Sequence, residues 1–197
     1  MSITAILLAG GASSRMGTRD KLLEDIDGTP LLRRRAETCL ASNVDAVRVV
    51  LPPDRAEREQ ALSGLELDIV HNDGSALGIS HSLKRGFAEL GTDAALIVLA
   101  DLPDLTATDL NKLIDAARAH PLAKVLRGAT LDGKAGHPVL LRRTLFSEIE
   151  RLGGDVGAQP LFKRHQRDTV LVPIGPAALR DLDTPEDWAS WRADQKT

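Results

Sequence analysis

The chain reads as an α/β protein with a mostly parallel sheet covered on both faces by helices, a Rossmann-like three-layer arrangement. Two observations predict this: apolar runs of five to seven residues alternate with longer amphipathic stretches, and the first and most hydrophobic of those runs end in chemically marked loops. At 197 residues and 43% hydrophobic content the chain can bury a real core, and residues 1–197 are expected to form a single domain.

The elements follow in order. Ile3 to Leu8 is an apolar strand that runs into Gly10-Gly11, and Leu31 to Ala41 after Pro30 has helical spacing. Ala46 to Leu51 reads as the next strand, Asp54 to Leu62 as a helix, Leu67 to His71 as a strand and Ile79 to Leu90 as a helix. Ala94 to Ala100 is the most hydrophobic strand. The helix Ala107 to His120 is announced by Thr106 and Asp109 at capping-box spacing. Lys124 to Ala129, Pro138 to Leu141 and Thr169 to Pro173 read as strands, with helices over Thr144 to Leu152 and Ala158 to His165 between them. Thr184 before Pro185 gives an N-cap and a proline at the first helical position for Pro185 to Ala193. The segment Gly128 to Pro138 reads as loop-rich.

Composition excludes several classes of function. A net charge of −3 and 3% aromatic residues provide neither the cations nor the stacking rings that nucleic-acid binding needs. No apolar run approaches a membrane span, and Met1 leads directly into strand-like sequence, so a cytoplasmic protein without membrane partners is expected. Cys39 is the single cysteine, which rules out an intramolecular disulfide; on a helix it reads as a small buried residue. The five histidines lack zinc-site spacing. Arg33-Arg34-Arg35 point in three directions around a helix and read as a mostly solvated face, offset by Asp25 and Asp27.

The loop after the first strand carries the chemistry. Gly10 and Gly11 remove side chains that would keep a ligand off the backbone, so several N–H groups can turn to one anion. Arg15 adds a planar fork and Lys21 a mobile point charge. Gly11 and Gly17 are too far apart for a Walker loop, Thr18-Arg19 replaces its Lys-Ser, and the dinucleotide fingerprint is missing. At the other side, Leu96 to Leu99 leads into Ala100-Asp101-Leu102-Pro103-Asp104. The carboxyl ends of strands in an open sheet form the ligand crevice, so Asp101 should face the same space as the glycine loop. A bare carboxylate would repel a phosphate; a Mg²⁺ ion, held by one or two carboxylates, phosphates and water, resolves that conflict. Asp104 reads as the cap of the helix that begins near Thr106. Asp181, Asp183, Glu186 and Asp187 are compatible with helix-start chemistry and with a second acidic contribution to the site.

The run Leu8-Ala9-Gly10-Gly11-Ala12-Ser13-Ser14-Arg15-Met16-Gly17 with Lys21 resembles the L-A-[AG]-G-x-S-x-R-M-G-x(2,3)-K signature of the molybdenum-cofactor nucleotidyltransferases, the MobA/MocA-like family. Ala100-Asp101-Leu102-Pro103 and Asp181-Leu182-Asp183-Thr184-Pro185-Glu186-Asp187 resemble that family's second and third signatures. Gly78-Ile79-Ser80-His81-Ser82-Leu83, Gly136-His137-Pro138-Val139 and Gly154-Asp155-Val156-Gly157-Ala158 extend the match, the last resembling the cytidylyl branch.

The resemblance implies a three-layer nucleotidyltransferase fold and a Mg²⁺-dependent transfer of CMP from CTP to the phosphate of molybdopterin, with pyrophosphate released. Arg15, Lys21 and Asp101 would be catalytic, the two cations on the β- and γ-phosphates. Leu8, Ala9, Gly10, Gly11, Ser13, Arg15, Lys21, Gly78 and Ser82 would bind nucleotide, and Asp101 and Asp183 metal, with Asp181 in reserve. His137 and Asp155 would lie on the acceptor side, although His137 is equally compatible with a turn, Ser82 with a helix surface and Asp155 with a helix cap. Gly10-Gly11 and Asp20-Lys21 match the guanylyl branch, so GTP is the alternative donor. A sugar- or alcohol-phosphate acceptor is the alternative substrate, and a nucleotide-binding chaperone for a molybdoenzyme the non-enzymatic reading. Gln159 stands where the cytidylyl branch usually has Arg, which leaves room for an acceptor different from the usual pterin.

Overall fold

The computed structural model describes residues 1–195. Its strands and helices, in chain order, are β1 (Ile3–Leu8), β2 (Asp25–Ile26), β3 (Thr29–Pro30), α1 (Leu31–Leu40), β4 (Ala46–Leu51), α2 (Ala56–Ala61), β5 (Asp68–His71) and α3 (Ile79–Phe87), followed by β6 (Ala94–Leu99), α4 (Ala107–Ala119), β7 (Val125–Ala129), β8 (Ala135–Arg142), α5 (Phe146–Ile149), α6 (Gln159–Arg164), β9 (Thr169–Pro173) and α7 (Pro185–Asp194). Seven strands form one sheet in the order β5-β4-β1-β6-β8-β7-β9. β1 pairs in parallel with β4 and β6, β4 with β5, and β7 with β9; β8 alone runs antiparallel, between β6 and β7.

The period of two along each strand sorts side chains onto the two faces. Ile3, Ala5 and Leu7 of β1, with Val47, Val49, Leu96 and Val98, pack against Leu32, Ala36 and Cys39 of α1, Leu110, Leu113 and Ile114 of α4, and Trp188 and Trp191 of α7. Ile6 and Leu8, with Val50, Ala95, Ile97 and Val139, meet Leu83 and Phe87 of α3, Ile149 of α5, and Leu161 and Phe162 of α6. Two apolar layers therefore enclose the sheet. Every residue of β1 is buried, as a central strand covered on both faces requires. The capping boxes expected at Thr106–Asp109 and Thr184–Asp187 are both formed. Cys39 is fully buried, and burial pushes its thiol up to about 12.

The structure departs from the sequence reading where tertiary contacts override local pattern. The segment Gly128 to Pro138, expected to be loop-rich, is the β7–β8 hairpin; only residues 130–134 connect the strands. Gly136 looks like a loop residue but lies inside β8, because its backbone passes the Ala178 carbonyl so closely that a Cβ would come within 2.0 Å. The β2–β3 ribbon has no sequence signature, since two residues per strand are too few to show a period. It closes on Asp27 and Gly28, both at positive φ. Arg33 and Arg34 pair with Glu37 and Asp27, but Arg35 does not lie on a solvated face. It is 5% exposed, and its guanidinium donates to the carbonyls of Leu102 (3.1 Å) and Leu105. Burial lowers its pKa to about 10. Asp104 does not cap α4. It accepts from Trp191 Nε1 (2.7 Å) and meets Arg180 at 3.4 Å, tying the end of β6 to α7.

Candidate active site

The chain leaves β1 at Leu8 and turns over the carboxyl edge of the sheet. Arg58 of α2, wholly buried, holds this turn from beneath. Its guanidinium donates to the carbonyls of Ala9 (2.5 Å) and Gly11 (2.8 Å), to Asp20 Oδ2 (2.7 Å) and Oδ1 (2.9 Å), and to Ser13 Oγ (3.3 Å). With these carbonyls engaged below, the glycine loop is fixed without any residue whose side chain faces a ligand. Burial by itself would raise the Asp20 carboxyl; the hydrogen bond and charge of Arg58, with Leu22 N–H and the Ser13 hydroxyl, more than reverse that, and its pKa lies below the ordinary range. Neither Arg58 nor the function of Asp20 was visible in the sequence. A charged residue on a helix facing the core breaks the amphipathic pattern, and that was the available signal.

Above the loop lies a cleft of about 470 Å³, lined by Leu8, Gly10 and Gly11, by Pro52, Asp54 and Arg55 after β4, by Gly78, Ile79 and Ser82, and by Leu99, Asp101 and Asp155. Of the expected nucleotide-binding residues, Leu8, Gly10, Gly11, Gly78 and Ser82 line this space. Ala9, Ser13, Arg15 and Lys21 do not. Ala9 is buried, and the Ser13 hydroxyl is occupied by Asp20 (3.2 Å), Lys21 N–H (3.2 Å) and Arg58. Ser82 is buried, not on a helix surface; its hydroxyl accepts from Asn72 Nδ2 at 3.0 Å. A Cβ at Gly10 would come within 2.9 Å of that hydroxyl, so the fixed serine requires glycine there. Gly78 has φ of 95°, and a Cβ on it would lie 2.0 Å from Asp155 Oδ1. Asp155 makes no helix-capping hydrogen bond; it closes the cleft opposite the glycine loop. Asn72, 1% exposed, carries no local sequence signal of this role; besides Ser82 it holds Gly74 N–H and His81 Nδ1 at 3.1 Å.

At the far edge the acidic segments meet the cations. Lys21 Nζ donates to Asp101 Oδ2 at 2.6 Å and to Asp183 Oδ1 at 2.5 Å, and Arg15 reaches Asp183 Oδ2 at 2.5 Å. Lys21 is only 7% exposed. Burial would lower its pKa, but Asp101 and Asp183 outweigh it and hold the ammonium above its ordinary value. Leu182 N–H donates to the Asp101 carbonyl at 3.1 Å, which joins the two acidic loops, and the Thr184–Asp187 capping box fixes the backbone directly after Asp183. Arg35 holds the loop after Asp101 from below through the carbonyls of Leu102 and Leu105. Asp181 is driven upward by burial and by the nearby Asp183 and Asp101.

These residues fit a hard divalent cation. Asp101 Oδ1 is buried without a hydrogen-bond partner, and the Lys21 ammonium that holds Asp101 Oδ2 also holds a second carboxylate, Asp183, so the protein ligands on offer are carboxylate oxygens. Among the described residues no group of three or more His, Cys, Asp or Glu could hold a metal. Protein donors here are therefore two carboxylates at most, as suits an ion that takes its other ligands from phosphates and water. His137, half-buried, faces an adjoining cavity of about 240 Å³. Its Nδ1 has no partner, and burial, reinforced by Arg127 and opposed by Asp101, lowers its pKa to about 4.

A family model described as the MobA-like NTP transferase domain matches residues 5–170. The chain belongs to that family. This MobA-like domain is a nucleotidyltransferase, and the matched segment spans the glycine loop, Asp101 and His137. It is 31% identical to a probable molybdenum cofactor guanylyltransferase of Nostoc sp., over 95% of this chain and 89% of that one. It is 28% identical to the purine catabolism protein PucB of Bacillus subtilis over 94% of each chain. Among solved structures, Rv0371c of Mycobacterium tuberculosis superposes with a TM-score of 0.83 at 26% identity, covering 96% of this chain and 97% of that one. No helix among the described residues is long and apolar enough to cross a membrane.

Proposed function

We propose that this protein transfers CMP from CTP to the phosphate of a molybdopterin-type acceptor in a Mg²⁺-dependent reaction that releases pyrophosphate. The observation that carries the reading is the cleft itself, which has a glycine loop on one wall, Asp101 at its edge and the His137 cavity adjoining it through Leu8, Ile79, Leu99 and Asp155. In-line displacement at the α-phosphorus needs no protein nucleophile, so catalysis consists of positioning and charge neutralisation.

Gly10 and Gly11 let the triphosphate approach the backbone, and Arg58 keeps that backbone in place. Asp101 and Asp183 would hold the Mg²⁺, which supplies charge neutralisation at the reacting phosphate. Lys21 lies between the two carboxylates, fixes them in one geometry and reduces their repulsion of the incoming nucleotide. Arg15, exposed at the rim, is free to exchange Asp183 for a phosphate oxygen. His137 stays neutral at physiological pH, so its ring presents one donor and one acceptor to the acceptor molecule.

CTP is favoured over GTP because the two features that match the guanylyl branch have packing roles. Asp20 faces Arg58 and not the cleft, and Gly10 is required by Ser82. GTP is the second reading, supported by the guanylyltransferase name of the Nostoc relative. Pyrophosphate release, measured with CTP and GTP, with and without molybdopterin and Mg²⁺, tests the proposal. Release that requires CTP, molybdopterin and Mg²⁺ together is expected. Faster release with GTP would refute the base assignment, and release with a sugar phosphate but not molybdopterin would refute the acceptor.

A further inference from the structure

The acceptor side continues beyond His137. Val156, Gln159 and Phe162 line both the cavity under His137 and a wider depression of about 820 Å³ between β7, α6 and β9. The polar lining of that depression is Arg127 and Lys163, the neutral Gln159 and Gln166, and Thr169; no carboxylate lines it. Apolar surface faces it at Val156 and Leu171, which are 56% and 42% exposed.

Arg127 stands out. It is half-buried, its guanidinium lies 4.5 Å from the centre of the Phe162 ring, and Nε and Nη2 donate to the Gly136 carbonyl at 3.3 Å each. Among the described residues it forms no ion pair, and burial alone pulls its pKa below the usual arginine range. A partly desolvated cation without a counter-charge is costly unless an anion or an electron-rich ligand completes it. Lys163 follows Gln159 by one turn of α6, and its exposed ammonium joins the same wall.

We propose that this depression binds the body of the acceptor, and that the acceptor is a flat-faced molecule carrying a second negative group, held by Arg127 and Lys163, besides the phosphate that receives the nucleotide. The inference rests on the acceptor reading proposed above and extends it. Gln159 leaves the centre of the wall neutral where the related branch usually has Arg; the positive charge is supplied instead from β7 and from the next turn of α6. Val156 and Leu171 give the flat body an apolar surface, Phe162 backs Arg127 from beneath, and the two cations select for charge.

Fluorescence titration of the full chain with pterin-6-carboxylate and with neutral 6-hydroxymethylpterin tests this. The wild-type protein should bind the carboxylate about tenfold or more tightly than the neutral analogue. R127M should abolish that preference while CTP affinity stays unchanged, and K163E, on the exposed face, should weaken carboxylate binding without any effect on thermal stability. Equal binding of the two pterins to wild type, binding of neither, or a preference that survives both substitutions would overturn the subsite. The two proposals fail separately. Arg127-dependent pterin-6-carboxylate binding without nucleotide transfer to molybdopterin would keep the subsite and refute the reaction. Transfer to molybdopterin with an acceptor KM unchanged in R127M and K163E would keep the reaction and refute the subsite.

Discussion

Replacing Arg58 by Met keeps the aliphatic stem and removes the guanidinium beneath the glycine loop. The side chain is fully buried, and its partner Asp20 is 10% exposed, so the variant leaves a carboxylate and the carbonyls of Ala9 and Gly11 in the interior without their donor. Breaking a buried ion pair from one side costs about 3–5 kcal/mol. For a chain of this length each kcal/mol moves the melting temperature by roughly 2–4 °C, so Tm should fall by about 6–20 °C.

The pH dependence gives an independent sign. In the wild type the Asp20 pKa lies below 3.8, so its contribution is present above that pH and is lost as pH falls through the lower folded value. Without Arg58, burial dominates and raises the Asp20 pKa; the penalty then eases as the carboxyl protonates on acidification. Urea denaturation at pH 7.5 and pH 4.5 should therefore show a smaller gap between R58M and wild type at the lower pH. Adding D20N to R58M should restore part of the loss, because the buried charge is gone. Calorimetric titration with CTP at a temperature where R58M is folded should show affinity reduced by about tenfold, a loss of the loop's preorganisation. A stability loss under about 1 kcal/mol, or one that ignores pH and D20N, would refute the assignment of Arg58 as the support of the loop.

Other expectations follow from the same geometry. D101A should remain folded and lose pyrophosphate release by at least about 100-fold, since it removes the buried unpartnered oxygen proposed to hold the metal; near-normal turnover would sink its role as metal ligand. G10A should weaken CTP binding because its Cβ meets Ser82 Oγ at 2.9 Å, and S82A in the same chain should recover part of that binding; no recovery would place the fault elsewhere. His137, neutral in the folded protein down to about pH 4 but protonated near 6.5 when unfolded, should make stability fall by up to about 3 kcal/mol as pH drops between those values, and H137F should remove that slope in denaturation curves. The stabilisation Lys21 draws from its raised pKa should be complete below about pH 10.5 and fade above it, so K21M should lack an alkaline transition that wild type has.

Local chemistry alone determined the alternation of strands and helices, both capping boxes, and the glycine loop facing a carboxylate at the end of β6. The helices, capping boxes and loop chemistry depend on residues within one or two turns of each other: an apolar run, a Thr three residues before an Asp, a glycine pair after a strand. The facing of loop and carboxylate follows from the general rule that the carboxyl ends of strands in an open sheet share one crevice. The structure decided whatever needed a partner far along the chain. Asp20 looked like a marker of base choice until Arg58, thirty-eight residues away, took up its carboxylate. Arg35 looked solvated until the carbonyls of Leu102 and Leu105 came over it, and Gly136 looked like a loop until the Ala178 carbonyl packed on its backbone. Lys21 looked like a free cation, but the fold puts it between Asp101 and Asp183, eighty and more residues onward. Side-chain type limits what a residue can bind; which of those bonds it makes depends on which backbone the sheet order brings beside it, and one strand or helix carries no information about that order.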